Sequence, residues 1–122
     1  MADKPWMQYG SCKYELGSSK MPYGVTMEDV ANSLSKINRF TGHSIEPISV
    51  ARHSIYVANA LWTSPATAML AMHGLLHDVS ETVVNDLSAP LKAALGPEGM
   101  AAYRALCDEH STGSFGRSPK AT

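Results

Sequence analysis

The stretch Ala71-Met-His-Gly-Leu-Leu-His-Asp-Val-Ser-Glu81 decides how the rest of the chain is read. It reads as a largely apolar helix, yet it carries His77 and Asp78 side by side. An ionised Asp in such surroundings costs several kcal/mol unless a cation or a hydrogen-bonded partner compensates it. Glu81 follows four residues after His77 and three after Asp78, so on a continuous helix all three project toward one side. An imidazole and two carboxylates so arranged suit a hard divalent cation with an acid/base group beside it. The same residues also fit a core histidine next to an Asp that caps or pairs locally, and the neighbouring segments have to decide.

Working outward, Thr63-Ser-Pro65 opens the helix that carries this stretch, predicted over about 65–79, because proline is welcome at a first helical position. Before it, Ser49 is a plausible N-cap for a helix over 49–62, in which Val50, His53, Val57 and Leu61 form an inward stripe. Thr26, followed by Glu28 and Asp29, opens a helix over about 27–38 with Val30, Leu34 and Ile37 on its apolar side. Asn38-Arg-Phe-Thr-Gly-His43 ends that helix, with Gly42 as terminator, and Pro47 pins the loop that follows. After Glu81 the pattern gives a short helical segment over 80–85, a loop through Asp86–Pro90, and a brief helix over 91–95 stopped by Gly96-Pro97. A last helix follows over 98–109. Residues 1–24 show no sustained period and read as an arm packed down by Trp6, Tyr9, Tyr14 and Tyr23, with at most short extended pieces. Residues 111–122 read as a frayed tail. With no convincing alternating strand and no repeat, the expectation is an all-α chain with one helical domain over 25–110.

Composition narrows the function. The 122 residues carry a formal net charge of -1 and only 17% charged side chains, which favours a folded domain and gives no reason to expect a nucleic-acid polymer or a membrane surface as partner. Two distant cysteines, Cys12 and Cys107, form neither a disulfide framework nor a zinc knuckle and suit reduced cytosolic thiols. No apolar run reaches the ~20 residues of a membrane span, and Met-Ala-Asp-Lys-Pro5 lacks a signal-peptide core, so the expected setting is cytoplasmic. His53 and His77 on the inner sides of two helices, with Asp78, give mixed nitrogen and oxygen donors without a thiolate. That set suits Mn, Co, Fe, Zn, Ni or Mg.

Taken in order, Ile48-Ser-Val-Ala-Arg-His-Ser54, Leu75-Leu-His-Asp-Val-Ser-Glu81 and Asn85-Asp-Leu-Ser-Ala-Pro-Leu-Lys92 resemble the HD-domain phosphohydrolases. The likeness is greatest to small bacterial and phage members similar to 5′-deoxynucleotidases. It extends to Trp6-Met-Gln8, Met27-Glu-Asp-Val-Ala-Asn-Ser-Leu34 and Asn38-Arg-Phe-Thr-Gly-His43, and so spans roughly residues 5–110. The resemblance implies a compact helical bundle of the HD type, here shortened at its C-terminal end. It implies His53, His77 and Asp78 as metal ligands, Glu81 and Asp86 as catalytic acidic groups, and Arg39, Phe40 and, more weakly, Lys92 as substrate contacts. It also implies a further Asp on a later helix that closes the metal site. Only Asp108, in Leu106-Cys-Asp-Glu-His110, follows the Pro90–Lys92 turn, so that position is open to Asp108, to a neighbouring subunit or to water.

The function implied is metal-dependent removal of phosphate or polyphosphate from a nucleotide, in the first place a deoxynucleotide. The alternative is a truncated, non-catalytic HD-fold protein that binds a nucleotide or a protein. A shortened bundle would leave apolar surface uncovered, which favours a homo-oligomer.

Overall fold

A computed structural model describes residues 4–17 and 23–113, with side chains as far as Glu109. The chain begins with two strands, β1 (Trp6–Tyr9) and β2 (Cys12–Glu15), paired antiparallel with Met7 opposite Tyr14 and Tyr9 opposite Cys12. This overturns the all-α expectation, since a two-stranded sheet stands ahead of the helices. Its signals are local but brief. Gly10 and Ser11 make a two-residue turn with Gly10 at φ +60, the geometry a type II′ hairpin asks of its first central residue. Each strand alternates for only four residues: Met7, Tyr9, Cys12 and Tyr14 face inward while Trp6, Gln8, Lys13 and Glu15 face water. Four residues are too few for periodicity to stand out from an irregular arm.

Five helical segments follow: α1 (Met27–Ser35), α2 (Val50–Leu61), α3 (Ala68–Leu76), α4 (Glu81–Val84) and α5 (Ala89–Gly113). Helix α1 starts at a full capping box. The Thr26 hydroxyl accepts from Asp29 N at 3.1 Å, and Thr26 N donates to the Asp29 carboxylate at 3.0 Å. It ends earlier than 38, because residues 37–39 leave the helix to pair with the start of α2. Val50 N donates to Ile37 O at 2.8 Å, Arg39 N donates to Ile48 O at 2.8 Å, and Asn38 bridges Ser49. Arg39–Gly42 is then a separate 3₁₀ turn in which Phe40 and Thr41 take left-handed φ of 57° and 53°. That conformation is a marked outlier for a β-branched threonine.

Ser49 caps α2 by accepting from Arg52 N at 3.1 Å. A 3₁₀ turn, Pro65–Thr67, leads into α3, which is shorter than the 65–79 expected. Helices α2 and α3 pack closely because Gly74 has no side chain. A Cβ there would lie 2.7 Å from Leu61 Cδ1 and 3.0 Å from Val57 Cγ1. Helix α5 is broken at Gly96, whose φ of 73° is non-helical, at the Gly96-Pro97 step expected to stop a helix. Its end at Gly113 runs past the expected start of the tail at Ser111, and the rest of that tail lies outside the described residues.

The core joins the hairpin to the helices. Tyr9, Tyr14, Val30, Leu34, Val50 and Val79 form one buried cluster, with Met7, Ile37, Leu76 and Val83 packed on it. The Tyr9 and Tyr14 rings meet edge to face at 6.1 Å. Thr82 is buried and donates to Val79 O at 2.7 Å, so the Tyr9 hydroxyl, 2.7 Å from Thr82 Oγ1, is the donor of that second bond. Tyr9 thereby ties the hairpin to α4, at the residue that follows Glu81. Among the described residues, no helix is long and apolar enough to cross a membrane.

Candidate metal centre

His53 lies one turn into α2 and is half-buried. His77 is the C-cap of α3, and Asp78 is the first residue beyond it. Their side chains are 39% and 24% exposed, so the pair sits at the rim of the fold, not within an apolar helix. One donor atom from each of His53, His77 and Asp78 lies within 4.8 Å of the other two, and this group can hold a metal ion.

The hydrogen bonding at His77 fixes which ring nitrogen faces Asp78. Its Nδ1 is 2.5 Å from Gly74 O, a carbonyl that can only accept, so Nδ1 carries the proton. Its Nε2 then faces Asp78 Oδ2 at 2.9 Å. Two bare acceptors at that distance repel each other unless a second proton or a cation lies between them. A backbone carbonyl that fixes the far nitrogen is the usual outer-shell support of a metal-bound histidine. The His53 and His77 rings lie 5.7 Å apart at 60°. His53 is held below the usual imidazole range, first by burial and then by the positive charge of Arg39, while the charges of Asp78 and Asp86 oppose the shift.

Glu81 reaches the group by a route other than a shared helix. Residues 77–80 form successive tight turns, with Val79 N donating to Leu76 O at 3.2 Å and Glu81 N donating to Asp78 O at 2.9 Å, so α4 starts afresh at Glu81. The i to i+3 closure still sets the Glu81 carboxyl beside that of Asp78, near enough for hydrogen bonding to bear on it. Burial above all, then that hydrogen bonding and the charges of Asp78 and Asp86, push Glu81 up to about 9, while Lys92 opposes the shift. Asp86 follows the left-handed Asn85 (φ 66), whose side chain accepts from Asp86 N at 2.7 Å, and its charge acts on both His53 and Glu81.

Arg39 is brought toward His53 by the pairing of residues 37–39 with 48–50, and its guanidinium lies 5.0 Å over the Phe40 ring. Phe40 itself is more than half exposed. Lys92, on the first part of α5, acts on Glu81 and stands 5.7 Å from the centre of the Tyr103 ring. Tyr103 is a neighbour that the sequence left unmarked. Burial first, then Cys107, Glu81 and Asp86, raise its hydroxyl well above the ordinary phenol range. In the sequence it is one more apolar position of the last helix, and only the return of α5 past α4 reveals it. Asp108 is exposed on α5 and lies outside the group formed by His53, His77 and Asp78.

Among curated proteins, the chain is similar to the uncharacterized protein YfdR of Escherichia coli (strain K12), with 37% identity over 71 residues. The aligned part covers 58% of this chain and 37% of the relative, so the chain spans well under half the length of the protein it matches. No sequence-family profile matches the chain, and no solved structure matches it at a significant level.

Proposed function

We propose that this chain is a metal-dependent phosphohydrolase of the HD-domain kind that removes phosphate or polyphosphate from a nucleotide, in the first place a deoxynucleotide. The observation that carries the reading is the convergence of His53, His77 and Asp78 donor atoms within 4.8 Å. A divalent cation (Mn, Co, Fe, Zn, Ni or Mg), when bound there, polarises a phosphoryl oxygen and acidifies water. The residues of the chain supply the rest. Glu81, with its pKa near 9, holds a proton at neutral pH beside the group and can pass it to a leaving oxygen. Arg39 offers a planar fork for phosphate, Lys92 adds a point charge, and Phe40 presents an exposed ring to a nucleoside. Asp86, whose charge acts on both Glu81 and His53, is the second catalytic acidic group. A single nucleotide suits a protein with a net charge of -1 better than a polyanionic polymer does.

One observation favours a second reading, a metal-poor protein that binds a nucleotide without cleaving it: the group has three protein donors among the described residues, and Asp108 is not one of them. Metal analysis of purified wild-type and His77→Ala protein separates the two. The hydrolase reading expects about one equivalent of transition metal in the wild type and none in the variant. It also expects Mn- or Co-dependent release of phosphate or pyrophosphate from deoxynucleotides, lost in Glu81→Ala. Protein that takes up no metal when Mn or Co is offered would sink it.

A further inference from the structure

Helix α4 ends at Val84, and the next residue, Asn85, takes φ 66° and ψ 176°. Phe40 and Thr41 also have positive φ, but with ψ of 29° they sit close to the ordinary left-handed well. Asn85 lies outside that well, in a region that essentially only glycine occupies, because a Cβ there crowds the flanking peptide groups. Asn85 is exposed, so core packing does not select its side chain. Two bonds hold the corner. Asn85 N donates to Glu81 O at 2.9 Å and closes the last turn of α4, and Asp86 N donates to Asn85 Oδ1 at 2.7 Å. The result is a change of direction. Were α4 to continue, Asp86 would stand five residues beyond Glu81 and so about 140° round the helix from it. The corner ends the helix instead, and the charge of Asp86 reaches both Glu81 and His53.

We infer that Asn85 is a positioning residue: its side-chain oxygen locks a glycine-type backbone corner that delivers Asp86 to the candidate metal centre, and the fold is less stable for it. This rests on the reading of Asp86 as the second catalytic acidic group. Glycine would suit the backbone better, since it has no Cβ to crowd at these angles. It would also leave the Asp86 amide without its side-chain acceptor and let Asp86 swing away from Glu81. Asparagine supplies what glycine lacks: a short side chain that tolerates positive φ and an oxygen that accepts from the next amide. Strain sustained by the rest of the fold beside a group of the site is the pattern expected where placement outweighs local stability. The two effects of Asn85 therefore have opposite signs, one on stability and one on the site. A residue that only shaped the chain would show the first without the second.

The test is Asn85→Gly in the full chain, with Asp86→Asn for comparison. Relief of the corner is expected to raise the folding equilibrium constant about tenfold, read as a higher urea midpoint at unchanged slope. Despite that gain, hydrogen exchange at the Asp86 amide is expected to quicken by about tenfold, while the amides of α2 and α3 exchange no faster than before. With Mn added and deoxynucleoside mono- and triphosphates as substrates, kcat is expected to fall by about tenfold or more at nearly constant KM, toward the loss in Asp86→Asn. A variant no more stable than the wild type, an Asp86 amide as protected as before, or a stabilised variant with wild-type kcat would each overturn the inference. A wild type that cleaves no nucleotide would sink the phosphohydrolase reading instead, and the urea and exchange results would still decide whether Asn85 holds Asp86 in place.

Discussion

Replacing Gly10 by alanine probes the joint on which the hairpin sits. Gly10 turns the hairpin at φ +60, and its missing side chain lets the turn lie directly on the start of α1. A Cβ there would stand 2.6 Å from Asp29 Cγ and 2.8 and 2.9 Å from its two oxygens. Two costs follow. A side chain at positive φ costs about 1–2 kcal/mol. Asp29 must also swing away, and with it goes the bond from Thr26 N, half of a capping box whose loss costs about 0.5–2 kcal/mol. The expected destabilisation is about 2–3 kcal/mol, read as a lower urea midpoint at unchanged slope. A double-mutant cycle with Asp29→Ala separates the two costs, because the collision vanishes in that background while the backbone strain stays. The expected coupling is about 1 kcal/mol. A loss below about 0.5 kcal/mol for Gly10→Ala, or a coupling indistinguishable from zero, would refute the reasoning. Because the adjacent Tyr9 anchors Thr82, the same substitution is expected to weaken metal uptake at the His77–Asp78 rim.

Further outcomes follow from the packing and the site. Ser54 is buried and its hydroxyl has no hydrogen-bond partner among the described residues, so Ser54→Ala is expected to be neutral or to stabilise by about 1 kcal/mol in urea unfolding, whereas a clear loss would mean the hydroxyl is satisfied. Burial, then the charge of Glu109 and its hydrogen bond with the Tyr14 hydroxyl at 3.2 Å, push Tyr14 up to about 12. The folded state therefore prefers the neutral phenol. Its contribution is full below 10.0, the unfolded value, and is lost as pH rises through about 12, so Tyr14→Phe should flatten the alkaline fall in stability. Mn or Co at a hundred times its dissociation constant should stabilise the wild type by about 2.7 kcal/mol and raise its melting temperature by several degrees, with no shift in His77→Ala.

The features legible in the sequence are those whose partners lie within about one turn. Thr26 and Asp29 announce a capping box, Ser49 announces the start of α2, and Gly96-Pro97 announces the break in α5. Each rests on a bond or a backbone preference spanning four residues or fewer, so composition at fixed spacing is enough. The adjacency of His77 and Asp78, with Glu81 three residues on, was legible for the same reason, and the tight turns that replaced the expected continuous helix preserved it.

The decisions left to tertiary structure join residues far apart in the chain. The hairpin becomes a stable part of the fold because Tyr9 meets Thr82, 73 residues away, and Tyr14 meets Glu109, 95 residues away. Two four-residue strands need such packing, since a lone hairpin is marginal in water. Arg39 comes to His53 only because the backbone at 37–39 pairs with 48–50, and Tyr103 comes to Lys92 and Glu81 only because α5 returns past α4. The sequence by itself determined which side chains could bind a cation. The closing of distant loops, whose entropy is recovered only through contacts made across the whole fold, decided which of them stand together.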